Sequence, residues 1–162
     1  PEIFGILKLN YSRIRKGNFY FENCLVVDSP GNRYFYAFEG EGIVKSKLHR
    51  ISSLKRSHLE RPTWLNGDYR IGKKLVNGTT VNALLEKYNL FHLNLLVIDA
   101  EGYDFEIIKT IDFARFTLDL IIYEHINLSN EDKAASIAYI SQRGYSIVSD
   151  SIDAIAVRST EV

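Results

Sequence analysis

Two apolar runs, each ending in acid, constrain this chain more than any other feature. Residues 95–113 read LLVIDAEGYDFEIIKTIDF, and residues 118–125 read LDLIIYEH. Runs this short and this apolar have the pattern of strands buried on both faces of a sheet. Between them, Phe105, Ile108 and Ile111 recur at helical spacing, which predicts a helix over residues 103–111. Ser129 with Asp132 resembles a capping box opening a helix that ends near Gly144. Residues 145–149 and 152–157 then read as two strands around Asp150 and Ser151. Strand, helix, strand, helix, strand predicts an α/β domain with a parallel sheet. Ligands of open parallel sheets bind beyond the carboxyl ends of the strands. Asp99 stands at such an end, and Glu124 and His125 occupy the same position after the next strand.

The first half is less regular. Ile3, Leu7, Tyr11 and Ile14 recur at helical spacing until Gly17 and Asn18. Residues 19–27 read as a strand, residues 28–32 (DSPGN) as a turn and residues 33–38 as a second strand. Residues 39–78 show no sustained period and read as a long loop with one short helix. Order returns at Thr79 and Thr80, whose hydroxyl caps a helix with Val81, Leu84, Leu85 and Tyr88 on its apolar face.

With 162 residues and 46% hydrophobic content, the chain suffices for one core, and a single domain over residues 1–162 is expected. Twenty basic and twenty acidic side chains cancel, so no whole-chain charge argues for nucleic acid. The charge is nevertheless segregated. Residues 44–74 hold nine Lys or Arg against two acids, and residues 75–162 hold six against thirteen. Cys24 is the sole cysteine, which rules out an internal disulfide, and the expected compartment is the cytoplasm. No apolar run approaches the roughly 20 residues a membrane span needs. The start at Pro1 and the lack of methionine lead us to expect a piece of a longer protein.

Carboxylates near a helix start gain about 0.3–1 kcal/mol each by capping, which would explain one of Asp99, Glu101 and Asp104. A strand-end Asp, a Glu two residues on and then Gly102 is more than a cap requires, because glycine permits close backbone approach or a strained turn. Trp64, within RPTWLNGDYR, is either ordinary packing or a platform for a sugar or base. No GxGxxG or GxxxxGK occurs.

Together, IDAEGYDFEIIKTIDF, LDLIIYEH, NLS and RGY resemble the C-terminal half of the FkbM family of methyltransferases, whose hallmark is a strand-end Asp-x-Glu-Gly ahead of a helix. PEIFGILKLNYS and FENCLVVDSPGNRYFYAF look like the family's segment after its second strand, and RISSL like a serine-containing stretch ahead of the TTVNALL helix. Val97 stands where many relatives carry lysine. The resemblance implies a Rossmann-like class I methyltransferase sheet, mostly parallel, here lacking its first two strands. The glycine-rich turn that grips S-adenosylmethionine would lie upstream of Pro1.

The implied reaction transfers the sulfonium methyl group to a hydroxyl of a sugar, glycan or polyketide-like acceptor. It needs in-line approach and a group that orients or accepts the hydroxyl proton. Asp99, Glu101, Glu124 and His125 are the candidates, with neutral imidazole matched to pH 7 and a carboxylate needing a raised pKa. Asn23, Cys24 and Gly102 are the expected cofactor contacts, and Ser53 and Trp64 the expected acceptor contacts. A metal-dependent hydrolase using Asp99, Glu101 and Asp104, and a truncated binding domain without catalysis, are the alternatives; for the methyltransferase no metal is expected.

Overall fold

A computed structural model describes residues 2–14, 17–40, 52–60 and 69–159. Trp64 and the basic residues Lys45, Lys47, Arg50 and Arg61 lie outside the described residues. The chain runs α1 (Glu2–Tyr11), β1 (Leu25–Val26), β2 (Gly31–Glu39), β3 (Ser52–Ser53), α2 (Arg56–Leu59), β4 (Arg70–Thr79) and α3 (Val81–Lys87). It continues with β5 (His92–Leu93), β6 (Leu96–Ile98), α4 (Asp104–Lys109), β7 (Thr117–Leu118), β8 (Leu120–Glu124), α5 (Asn130–Ser141), β9 (Tyr145–Ser149) and β10 (Asp153–Arg158).

The second half follows the expected order. Two polar caps start its longer helices: Thr80 Oγ1 accepts the Ala83 N–H at 3.1 Å ahead of α3, and Ser129 Oγ accepts the Asp132 N–H at 3.0 Å ahead of α5. One face of the β6-β8-β10-β9 sheet carries Ile98, Ile121, Tyr123, Ala154 and Ala156, and packs on Val81 and Leu85 of α3, Phe105, Ile107 and Ile108 of α4, and Ile140 of α5. Two short strands, β5 and β7, pair in parallel alongside.

Five expectations need correction. The architecture is α/β but its sheets are mixed rather than mostly parallel. β6 and β8 run parallel, whereas β10 is antiparallel to both β8 and β9, because the short 150–152 turn returns the chain directly. Residues 39–78 are not one long loop: β4 pairs with β2 over nine antiparallel positions, and β1 joins β4 in parallel. The sequence of β4, RIGKKLVNGT, mixes lysines and glycines with its apolar residues, and its half-buried pattern emerges only on pairing with β2. Conversely, residues 19–24 are not strand, and α1 stops at Tyr11 with Leu7, Tyr11 and Ile14 exposed instead of forming a buried stripe. The run at 95–98 is covered on one face only, since Leu95 and Val97 are exposed while Ile98 is buried.

Candidate functional site

Ile98 of β6 lies beside Tyr123 of β8, so residues 99–103 and 124–129 leave the sheet from the same carboxyl edge. At that edge the chain turns sharply. Glu101 has φ of +48° and Gly102 φ of +88°, two successive left-handed residues, the first without the freedom of glycine. Asp104 holds this turn from beneath. Its side chain is fully buried, one oxygen accepting the Ala100 N–H at 3.2 Å and the other the Gly102 N–H at 3.1 Å. Burial pushes its carboxyl up to about 6 against the pull of those backbone donors.

With the turn held, the side chain of Glu101 reaches across to β8. Asn127 Nδ2 donates to Glu101 Oε2 at 3.1 Å and to Glu124 Oε2 at 2.7 Å, so a single amide bridges the two carboxylates. Burial raises the Glu101 carboxyl above the ordinary range, and the charges of Glu124, Asp99 and Asp104 add to it. Burial likewise raises Glu124, partly offset by Asn127. Asp99 is exposed beside them. Two carboxylates of raised pKa, each with one oxygen bonded to the same amide, can orient a donor and accept its proton near neutral pH.

His125 is placed otherwise. It is 5% exposed, its Nε2–H donates to the Asp150 carbonyl at 2.9 Å, and Nδ1 is buried without a partner. The imidazole ties the end of β8 to the β9–β10 turn, and its donating nitrogen faces that turn.

A cavity of about 500 Å³ adjoins this edge, with Val26, Leu84, Leu96 and Ser53 in its wall and Asp99 and Glu101 at the polar end. Leu25 and Val26 contribute to the wall, whereas Asn23 and Cys24 stand just before them, Asn23 exposed and Cys24 half-buried with its thiol pushed up by burial. Ser53 is 2% exposed; its hydroxyl donates to the Glu101 carbonyl at 3.2 Å and accepts the Lys55 N–H at 3.1 Å. Gly102 is buried against the ring of His58. Asp99, Glu101 and Asp104 do not converge on one centre, because Asp104 turns inward. Among the described residues no three His, Cys, Asp or Glu are grouped to hold a metal ion. Asn127 and His58 are the site residues that sequence reasoning missed, whereas Lys55 belongs to the basic stretch of residues 44–74. Only Asn127 carried a signal, as the first residue of NLS three positions after Glu124.

Among the described residues no helix is long and apolar enough to cross a membrane. No curated protein and no solved structure matches the chain. A family model does: the methyltransferase FkbM domain matches residues 10–147, and so includes the Asp99–Gly102 turn, Glu124 and Asn127. The strand-end acids, the glycine turn behind them and the extent of that match place this chain in the FkbM methyltransferase family.

Proposed function

We propose that this chain is the acceptor-side part of an S-adenosylmethionine-dependent O-methyltransferase, acting on a hydroxyl of a sugar, glycan or polyketide-like molecule. The observation that carries the reading is the pair Glu101 and Glu124, joined by Asn127 at the ends of neighbouring parallel strands. Attack by a hydroxyl oxygen releases a proton, and a carboxylate whose pKa is raised toward neutrality is a better base for it than an ordinary one. Glu124 is the favoured base, with Glu101 and Asn127 fixing its orientation and Asp99 at the mouth of the cavity. His125 is not favoured for this step, since Nδ1, the nitrogen left to accept a proton once Nε2–H bonds the Asp150 carbonyl, is buried and His125 does not line the cavity.

The cofactor would supply the methyl group. Among the described residues, the cavity wall offers carboxylates and apolar carbon but no basic side chain, a surface suited to a sulfonium and unsuited to the cofactor's own carboxylate. The described residues therefore do not fit the whole cofactor. On this reading the rest of the cofactor is held by residues other than the described ones of this wall.

The test uses the natural protein with labelled S-adenosylmethionine and a panel of polyhydroxylated acceptors. Glu124→Gln is expected to lower kcat by about 10²-fold, the low end of general-base contributions, with little change in KM. Undiminished turnover in Glu124→Gln and in the Glu101→Gln/Glu124→Gln double variant would sink the assignment.

A further inference from the structure

Three donors from one short segment converge on two consecutive carbonyls of the site turn. Ser53 Oγ donates to the Glu101 carbonyl at 3.2 Å, His58 Nδ1 bonds the same oxygen, and Lys55 Nζ donates to the Gly102 carbonyl at 3.2 Å. A carbonyl can only accept, so the imidazole proton sits on Nδ1. The ring then lies directly over Gly102. A Cβ at that position would fall 1.9 Å from His58 Cε1 and 2.5 Å from Nδ1, so no side chain fits there while His58 keeps its place. The glycine of the turn is thus required twice, by its positive φ and by the imidazole packed on it.

We propose that His58 is a positioning residue for Glu101. With Ser53 and Lys55 it clamps the carbonyl side of the turn, as Asp104 clamps the N–H side. Glu101 can hold its left-handed backbone, and its carboxylate can stay on the Asn127 amide, only while both clamps are closed. The segment of Ser53, Lys55 and His58 also belongs to the basic stretch of the sequence, and the clamp fastens this segment to the acidic edge. Glu101's membership of the site comes from the preceding reading, but the positioning itself is independent of methyl transfer.

The experiment reads the Glu101 carboxyl itself by carbon NMR across a pH titration of the chain. His58→Ala frees the turn, so the Glu101 midpoint is expected to fall toward the ordinary carboxylate range as burial and its acidic neighbours are lost. His58→Asn, whose amide presents a donor where Nδ1 stood, is expected to restore it. A second measurement needs no titration. Gly102→Ala should lower Tm, and adding His58→Ala should lower it further by less than about 3 °C, because the clash and the clamp are lost together. A Glu101 midpoint unmoved in His58→Ala, or Tm losses that simply add, overturns the proposal. If His58→Ala does not fold, the midpoint in Lys55→Met, which removes another donor of the same clamp, decides in the same way. Loss of methylation with an unmoved Glu101 midpoint would count against this inference and leave the proposed reaction standing.

Discussion

Asp104 is ionisable, fully buried and bonded to two backbone N–H groups, so it sustains the turn at a cost. Its pKa lies at about 6 in the folded chain against an ordinary 3.8. The folded state therefore binds this proton more tightly than the unfolded state. The contribution to stability is greatest below pH 4, declines as pH rises from about 4 to about 6, and is flat above. The difference amounts to roughly 3 kcal/mol withheld at neutral pH. Asp104→Asn removes the ionisation while leaving an amide oxygen for one of the two N–H donors. Denaturant midpoints at pH 4, 5, 6 and 7 should show a shallower decline across this window in Asp104→Asn than in the parent chain; parallel curves would refute the assignment. Asp99, Glu101 and Glu124 were legible in sequence because a strand end followed by a helix start is a local pattern. Asn127's bridge and the His58 contact were not, since the latter spans 43 positions and exists only once β3 and α2 have docked.

Helix caps are the features whose sequence signals translated most directly, because a hydroxyl and the N–H three residues on are fixed by local geometry. Thr80→Ala leaves the Ala83 N–H without its side-chain acceptor and should cost about 1 kcal/mol, or roughly 2–4 °C in Tm for a chain of this size. Thr80→Ser should recover most of the loss, and a Thr80→Ser variant as unstable as Thr80→Ala would show that the methyl group, not the cap, matters. Strands were less legible. β6 and β8 announced themselves as apolar runs, but β4 carries Lys73 and Lys74 beside Leu75 and is specified by its partner: Tyr36 faces Lys73, Phe35 faces Lys74 and Tyr34 faces Leu75. Lys73 Nζ also lies 4.6 Å from the Tyr34 ring, a cation–π contact between the two strands.

Across the whole molecule, α3, α4 and α5 all sit on one face of the β6-β8-β10-β9 sheet. The opposite face carries Val97, Ile122, Ile155 and Val148 as direct cross-strand neighbours, a continuous apolar row over four strands. Val97 is 59% exposed, Ile155 40% and Val148 73%. Leu95 and Val157, also exposed, lie on strands of the same sheet or beside them. The sequence concealed this asymmetry, because an apolar run looks the same whether one face or both are covered. A bare apolar row this long is unusual on a stable monomer surface. The 162-residue chain should therefore bind a hydrophobic dye such as anilinonaphthalene sulfonate at pH 7 while still showing a cooperative thermal transition. Replacing Val97 and Val148 by threonine should cut the dye signal by about half, with Tm changed by no more than about 2 °C, since both side chains are already in water and such substitutions shift stability by less than about 0.5 kcal/mol. Dye binding that survives these substitutions unchanged would locate the accessible apolar surface elsewhere, with the exposed Ile6, Leu9 and Tyr20 of the N-terminal segment as the next residues to replace.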